Sequence, residues 1–99
     1  MLTNSVYYPF TATPTPQTIL PFNQRRRMIR YQSFGPPDFN DGITVWIDDT
    51  GNNATVGSGI QLVSGVILDS LPWPYCPTGA ISVVTAGGTH QGLIQEFVL

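Results

Sequence analysis

Short runs of alternating apolar and polar residues, separated by Gly and Pro, make up most of this chain. The clearest run is 43–47, in which Ile43, Val45 and Ile47 are expected on one face of a strand. No window places apolar residues at helical spacing without an interrupting Gly or Pro. The chain contains 10 Gly and 9 Pro, which recur at the short intervals typical of all-β proteins. We therefore predict an all-β fold.

The same pattern predicts a series of short strands after the first part of the chain. They cover residues 18–22, 25–34, 43–47, 54–56, 60–62, 66–69, 80–84 and 91–98. About seven or eight strands with a turn roughly every 8–12 residues are typical of a sandwich or a small barrel. We expect a single small antiparallel β-sandwich, jelly-roll-like or Ig-like, over residues 18–99.

Residues 1–17 are predicted to form an extended N-terminal arm. Pro14 and Pro16 interrupt any regular ladder at its end. Tyr7, Tyr8 and Phe10 make the arm too apolar for a solvated tail. We expect these aromatic residues to pack on this subunit or on its neighbour.

Charge is scarce and unevenly placed. Charged residues make up 10% of the chain, against about 25% in an average soluble domain. All four cations are arginines at positions 25, 26, 27 and 30, and the formal net charge is −2. A largely neutral surface indicates a chain that contacts other protein. A short arginine cluster on an acidic chain argues against binding to nucleic acid.

The arginine cluster has two interpretations, and the sequence leaves both open. Strand alternation would place Arg25 and Arg27 on one face, and Arg26 and Arg30 on the other. One set of guanidinium groups could bind carboxylates of a partner subunit. Alternatively, the arginines pair within the chain, with the acids at 48, 49 or 69.

Few residues suggest chemistry. A single histidine, His90, and a single cysteine, Cys76, are more consistent with a loop histidine and a buried thiol than with a nucleophile and its base. Asp48-x-Thr50-x-Asn52 begins like a calcium loop but lacks the later glycine and glutamate, so we expect a hairpin turn. We predict no catalytic, cofactor or metal residues.

Two further sequence features limit where the chain could reside. No stretch of about 20 predominantly apolar residues is present, so we predict no membrane span. Residues 1–5 lack the basic and apolar regions of a signal peptide, so none is expected.

The aromatic residues of the proline-rich segment 71–77 also have two interpretations. Trp73 and Tyr75, together with Trp46, could form a platform for sugar rings. Exposed aromatic residues also mark protein interfaces. We favour the protein interface.

The order of elements from residue 23 to 98 resembles a known group of proteins. The resemblance rests on an arginine-led first strand, the segment Gly57-x-Gly59-Ile60-x-Leu62-x-x-Gly65, and the segment Pro77-x-Gly79-x-Ile81 before a Gly-rich turn. In these features the chain resembles small all-β virion proteins of tailed bacteriophages, chiefly capsid decoration (cement) proteins. It departs from them at Ser64-Gly65, where many have Pro-Gly, in its long 35–42 loop, and in its unmatched arm.

The resemblance implies a non-enzymatic structural virion protein that binds the major capsid protein on the outer capsid surface and stabilises the shell. It favours a homotrimer, with no cofactor, nucleic acid or membrane as partner. A glycan-binding β-sandwich module, or a tail, neck or baseplate accessory protein, is the alternative. The candidate interface residues are Tyr7, Tyr8, Phe10, Arg26, Arg30, Trp73 and Tyr75.

Overall fold

The computed structural model describes residues 4–33, 44–63 and 65–99, which form eight strands. The strands are β1 (Asn4–Ala12), β2 (Gln17–Leu20), β3 (Arg26–Ser33), β4 (Val45–Asp48), β5 (Ile60–Leu62), β6 (Ile67–Asp69), β7 (Ile81–Thr85) and β8 (His90–Val98). Within these ranges there is no helix long and apolar enough to cross a membrane.

Two four-stranded antiparallel sheets form the fold. Sheet A has the strand order β1-β8-β3-β6, and sheet B has the order β2-β7-β4-β5. Apolar residues from both sheets share one core, which confirms the predicted all-β sandwich. The core residues are Phe10, Ala12, Leu20, Ile29, Tyr31, Val45, Ile47, Leu62, Cys76, Ile81, Val83 and Ile94.

Most predicted strands lie where the pattern placed them, with two differences among the described residues. Residues 54–56 are not a strand: the Ala54 amide instead donates to Ser82 Oγ at 2.9 Å, within the β4–β5 connection. Within the segment predicted as an arm, residues 4–12 form β1 and pair with β8 from Asn4–Val98 to Ala12–His90. Ile43, predicted to start a strand, lies outside the described residues.

A β-bulge at the start of β3 changes the direction of Arg26. Arg26 lies opposite Val98 and Met28 lies opposite Phe97, so Arg27 is an extra residue in the ladder. Arg26 consequently faces the interior with Ile29 and is 0% exposed. The alternation that grouped Arg26 with Arg30 is therefore wrong, and Arg26 cannot serve as a surface contact.

The buried Arg26 guanidinium connects both sheets at one end of the sandwich. Its Nε lies 2.7 Å from Glu96 Oε2 on β8 of sheet A. Its Nη1 donates to the carbonyls of Gly79 at 2.7 Å and Pro77 at 3.2 Å, just before β7 of sheet B. Its Nη2 donates to the carbonyl of Pro21 at 2.9 Å, just after β2. The charge is thus paired and each guanidinium nitrogen has an acceptor, as burial requires.

The hydrogen bonds of Ile29 at the edge of β3 determine which residues of β1 point their backbone N–H and C=O groups towards β8. The Ile29 carbonyl accepts from the Ser70 amide at 2.8 Å, and the Ile29 amide donates to Ser70 Oγ at 2.9 Å. Both backbone groups of Ile29 therefore point away from β8. Because Ile29 lies opposite Glu96, the backbone groups of Glu96 point to the other neighbour, Val6 of β1.

The free edge of β1 is consequently formed by its odd-numbered residues, and Pro9 is one of them. Proline has no amide hydrogen, so this position costs no bond to β8 but interrupts any ladder on the free side. The other edge strands, β2, β5 and β6, have only 4, 3 and 3 residues. Short edges and an edge proline disfavour pairing between sheets of different molecules.

We expect Glu96→Gln to destabilise the fold strongly. The substitution removes the charge partner of a buried guanidinium, a change that typically costs about 3–5 kcal/mol. Urea unfolding followed by circular dichroism measures the loss. The matched control is Asp69→Asn, which neutralises an acid whose side chain is 44% exposed and should change stability far less. Equal losses in the two variants would contradict this role of Arg26.

Tyr31→Phe is expected to leave stability unchanged or to raise it by up to about 1 kcal/mol. The Tyr31 hydroxyl is buried and finds no hydrogen-bond partner in the described part of the chain. Burial also raises the pKa of this phenol. Removing an unsatisfied buried hydroxyl removes its desolvation penalty. A loss above about 1 kcal/mol in the same urea assay would contradict this account.

Candidate protein-binding surface

The side of sheet A that faces away from the core consists of three cross-strand rows, which we call the outer face. The rows are Ser5–Phe97–Met28, Tyr7–Gln95–Arg30–Asp69 and Pro9–Leu93–Gln32–Ile67. Solvated faces of antiparallel sheets are normally polar. Here the rows carry many apolar residues, a composition more typical of a sheet covered on both sides.

One ion pair is central to the outer face. Arg30 Nε lies 2.7 Å from Asp69 Oδ1, and Arg30 Nη2 lies 3.1 Å from Asp69 Oδ2, a bidentate geometry. The side chains are 41% and 44% exposed. The hydrogen bonds from Arg30 lower the pKa of Asp69, and those to Asp69 raise the pKa of Arg30. Both groups are therefore charged at neutral pH.

A second apolar feature continues from the outer face along the side of β3 that is not paired with β8. We call residues 67–75 the edge strip; Leu71, Trp73 and Tyr75 are 66%, 60% and 75% exposed. The Trp73 amide donates to the carbonyl of Arg27 at 2.8 Å. The Arg27 guanidinium lies 5.3 Å from the centre of the Trp73 ring, a cation–π geometry. These contacts fix an exposed indole beside the outer face.

The structure places four of the predicted interface residues on the surface and three towards the interior. Tyr7 and Arg30 lie on the outer face, and Trp73 and Tyr75 lie on the edge strip. The other three turn inward: Phe10 and Arg26 are buried, and Tyr8 packs partly buried against the core. Trp46 belongs to β4 of sheet B, so it shares neither strand nor sheet with the edge strip.

Several outer-face residues were missed from the sequence, although a signal was present. In β8, Ile94 faces the core while Leu93 and Phe97 face outward, so both parities of this strand carry large apolar residues. That double pattern indicates a strand covered on both sides. Glu96 lies on the same inward-facing side of β8 as Ile94, and a buried acid at this position requires a buried cation.

The four arginines all have partners within the chain. Arg25 Nη2 donates to the backbone oxygen of Leu99 at 2.6 Å, and Arg27 Nη1 donates to the carbonyls of Gln24 and Arg26. Arg30 pairs with Asp69, one of the acids predicted for internal pairing. The predicted internal pairing is therefore confirmed for Arg30, whereas Arg26 pairs with Glu96, an acid outside the predicted set.

The side chains of Ser33, His90 and Cys76, which are of types that can act as nucleophiles or bases, lie inside the sandwich. His90 Nε2 is hydrogen-bonded to Ser33 Oγ, and both residues are buried. His90 starts β8 and is not the loop residue that was predicted. Cys76 is buried as predicted, at 7% exposure, and burial raises the pKa of its thiol. None of the three presents its reactive atom to solvent.

The Asp48 loop is a hairpin turn, as predicted. Asp48 Oδ1 accepts hydrogen bonds from the Thr50 amide at 2.8 Å and from the Thr50 hydroxyl at 2.7 Å, and β4 pairs with β5 beyond the turn. Among residues 4–33, 44–63 and 65–99, no group of three His, Cys, Asp or Glu side chains could hold a metal ion.

A shallow hollow of about 300 Å³ lies between β1 and β8. It is lined by Pro9, Phe10, Thr11, Gln91 and Gly92. None of these side chains is charged or is a histidine, so the hydroxyl of Thr11 has no base among the lining residues.

Comparison with known proteins supports the fold. No family model matches the chain, and no curated protein matches it. Among solved structures, the chain is similar to a subunit described under "Bacillus endospore appendages form a novel family of disulfide-linked pili". The TM-score is 0.51 at 14% identity, over 97% of this chain and 86% of that one. A similarity at this identity shows a shared fold.

The titration of Asp69 tests the geometry of the central ion pair. Since its folded pKa is lowered, the pair stabilises the fold above the ordinary aspartate pKa of about 3.9. That contribution is lost as the pH falls through the lowered value. Carboxyl NMR should show an Asp69 pKa below the ordinary one, returning towards it in Arg30→Gln. An unchanged pKa in that variant would show that Arg30 does not hold Asp69.

Proposed function

We propose that this chain is a non-enzymatic structural subunit that functions by assembling with other protein. The observation that carries this proposal is the outer face and the edge strip, which join at Ile67 into one weakly charged surface. Contiguous exposed apolar residues are characteristic of protein contacts. Ser33, His90 and Cys76 are buried, which favours a structural role over catalysis.

The particular form we propose is a capsid decoration protein that binds the major capsid protein on the outer surface of a virion. The sequence resemblance to such proteins supports this form. Weak contacts repeated by each copy of an oligomer would add through effective concentration, so a small subunit could stabilise a large shell. The same surface could serve a tail, neck or baseplate accessory protein.

A subunit of a surface filament is a second form of the same proposal. The observation that favours it is the fold similarity to a subunit of endospore appendages described as disulfide-linked pili. In this chain, however, the thiol of Cys76 is buried and contacts Ser70 Oγ and the carbonyl of Pro77. We therefore expect any assembly of this chain to form without an intermolecular disulfide through Cys76.

Glycan binding is the alternative from a different class. Trp73 and Tyr75 are both exposed in the edge strip, and aromatic faces can stack on sugar rings. Binding on a glycan array that is lost in Trp73→Ala would favour this function.

The association of the purified chain tests the proposal. Native mass spectrometry and electron microscopy over increasing concentration should show oligomers or filaments, unchanged by a reducing agent. A closed oligomer that binds emptied phage capsids would support decoration, and open filaments would support the appendage form. A chain that stays monomeric at every concentration and binds no capsid would contradict the proposal.

A further inference from the structure

We infer that the β3–β6 side of the outer face, together with the edge strip, is a two-fold interface with a second copy of this chain, in which Arg30 of each copy contacts Asp69 of the other. The inference rests on the proposed function and deepens it, because it names the partner of the surface described above. It follows from three properties of that surface: its apolar rows, its isolated ion pair and the sheet edges that flank it.

The apolar side chains on this side of the outer face require a cover, and a face is better suited to provide the contact than an edge. Met28 and Ile67 lie on the outward side of β3 and β6, and Trp73 and Tyr75 of the edge strip are exposed beside them. The edges of both sheets are short or, in β1, interrupted by Pro9. Face-to-face packing of two sheets, about 10 Å apart, buries such rows without using edge hydrogen bonds.

The charges of the outer face identify a second copy as the partner. Among the described residues the face has one cation, Arg30, and one anion, Asp69, on adjacent strands of the same cross-strand row. A two-fold axis running between β3 and β6 exchanges these positions, so each charge meets its opposite on the other copy. A surface that complements itself in this way is what an isologous interface requires. A uniformly acidic or basic partner would leave one of the two charges opposed by a like charge.

Both groups can make these new contacts without giving up the existing pair. Arg30 uses Nε and Nη2 to bind Asp69, and a guanidinium has five N–H donors in all. The two carboxylate oxygens of Asp69 each accept one of these bonds, and a carboxylate can accept about four. Two copies can therefore form a closed network of two arginines and two aspartates.

The apolar residues and the charges have different roles in this interface. Burial of the apolar residues on β3, β6 and the edge strip supplies the free energy of association. An ion pair that becomes buried roughly breaks even against its desolvation, so its main effect is on specificity. The network accordingly fixes the register of the two copies. A two-fold contact joins copies in pairs, so a trimer of the kind favoured by the resemblance would use other surfaces.

A charge-swap experiment distinguishes contacts between copies from the pair within one copy. Arg30→Asp alone places aspartates at both positions, and Asp69→Arg alone places arginines at both. Each variant alone should associate about tenfold or more weakly, because like charges then meet across the axis. Mixed in equal amounts, the two variants should form a heterodimer that associates nearly as tightly as the natural chain.

Native mass spectrometry of differently mass-tagged variants measures all three associations. The control is Arg25→Asp, which makes the same charge change before β3 at a residue bound to the Leu99 backbone, and it should leave association unchanged. The double variant Arg30→Asp/Asp69→Arg restores the pair within each copy, so its thermal unfolding shows whether the swapped pair still folds. It should also regain self-association.

The outcomes separate this inference from the proposed function. If the natural chain associates but neither single variant weakens association, or mixing fails to restore it, the interface lies elsewhere and only this inference is overturned. If the natural chain does not associate at all and binds no capsid, the proposed function fails with it. Preferential heterodimer formation by the two single variants establishes the contact between copies.

Discussion

The buried guanidinium of Arg26 is the constraint on which the arrangement of this sandwich depends. One bulge turns it inward, where it pairs with Glu96 of sheet A and donates to the carbonyls of Pro21, Pro77 and Gly79 beside sheet B. Hydrophobic contacts hold the middle of the sandwich, but at this end a charged group joins the layers. Such a group is costly to bury and is tolerated because its charge is paired and each of its three nitrogens has an acceptor. The sheets are thereby fixed in one register.

The same bulge also arranges the surface. With Arg26 inside, Arg27 is free to lie over Trp73, and Arg30 faces outward beside Asp69. The loop that carries Trp73 and Tyr75 is anchored at its far end by the Arg26 contacts to Pro77 and Gly79. A single cluster of arginines therefore both fixes the core and positions the neutral surface that we propose for assembly. The few cations of this chain, in which 10% of the residues are charged, therefore have distinct structural roles although they lie in one short segment.

Alternation and turn residues were sufficient to predict the sandwich. In a strand with one buried face, apolar side chains recur at every second residue. The run around Val45 and Ile47 shows this, since both side chains are buried. The bulge could not be predicted, because an extra residue at Arg27 leaves no trace in the sequence and reverses the faces of Arg26. Ala54–Val56 was wrongly predicted as a strand, since its apolar residues serve a loop that bonds to Ser82. The outer face was overlooked because it appears only when the registers of β1, β8 and β3 are combined.

The most direct test of assembly through the outer face is hydroxyl-radical footprinting of the chain when dilute and when assembled. Met28 lies on the outer face of sheet A and Trp73 on the edge strip beside it, whereas Val56 lies exposed in the β4–β5 connection of sheet B. The account predicts that Met28 and Trp73 lose most of their labelling on assembly while Val56 keeps its own. Unchanged labelling of Met28 and Trp73 in the assembled chain would contradict it.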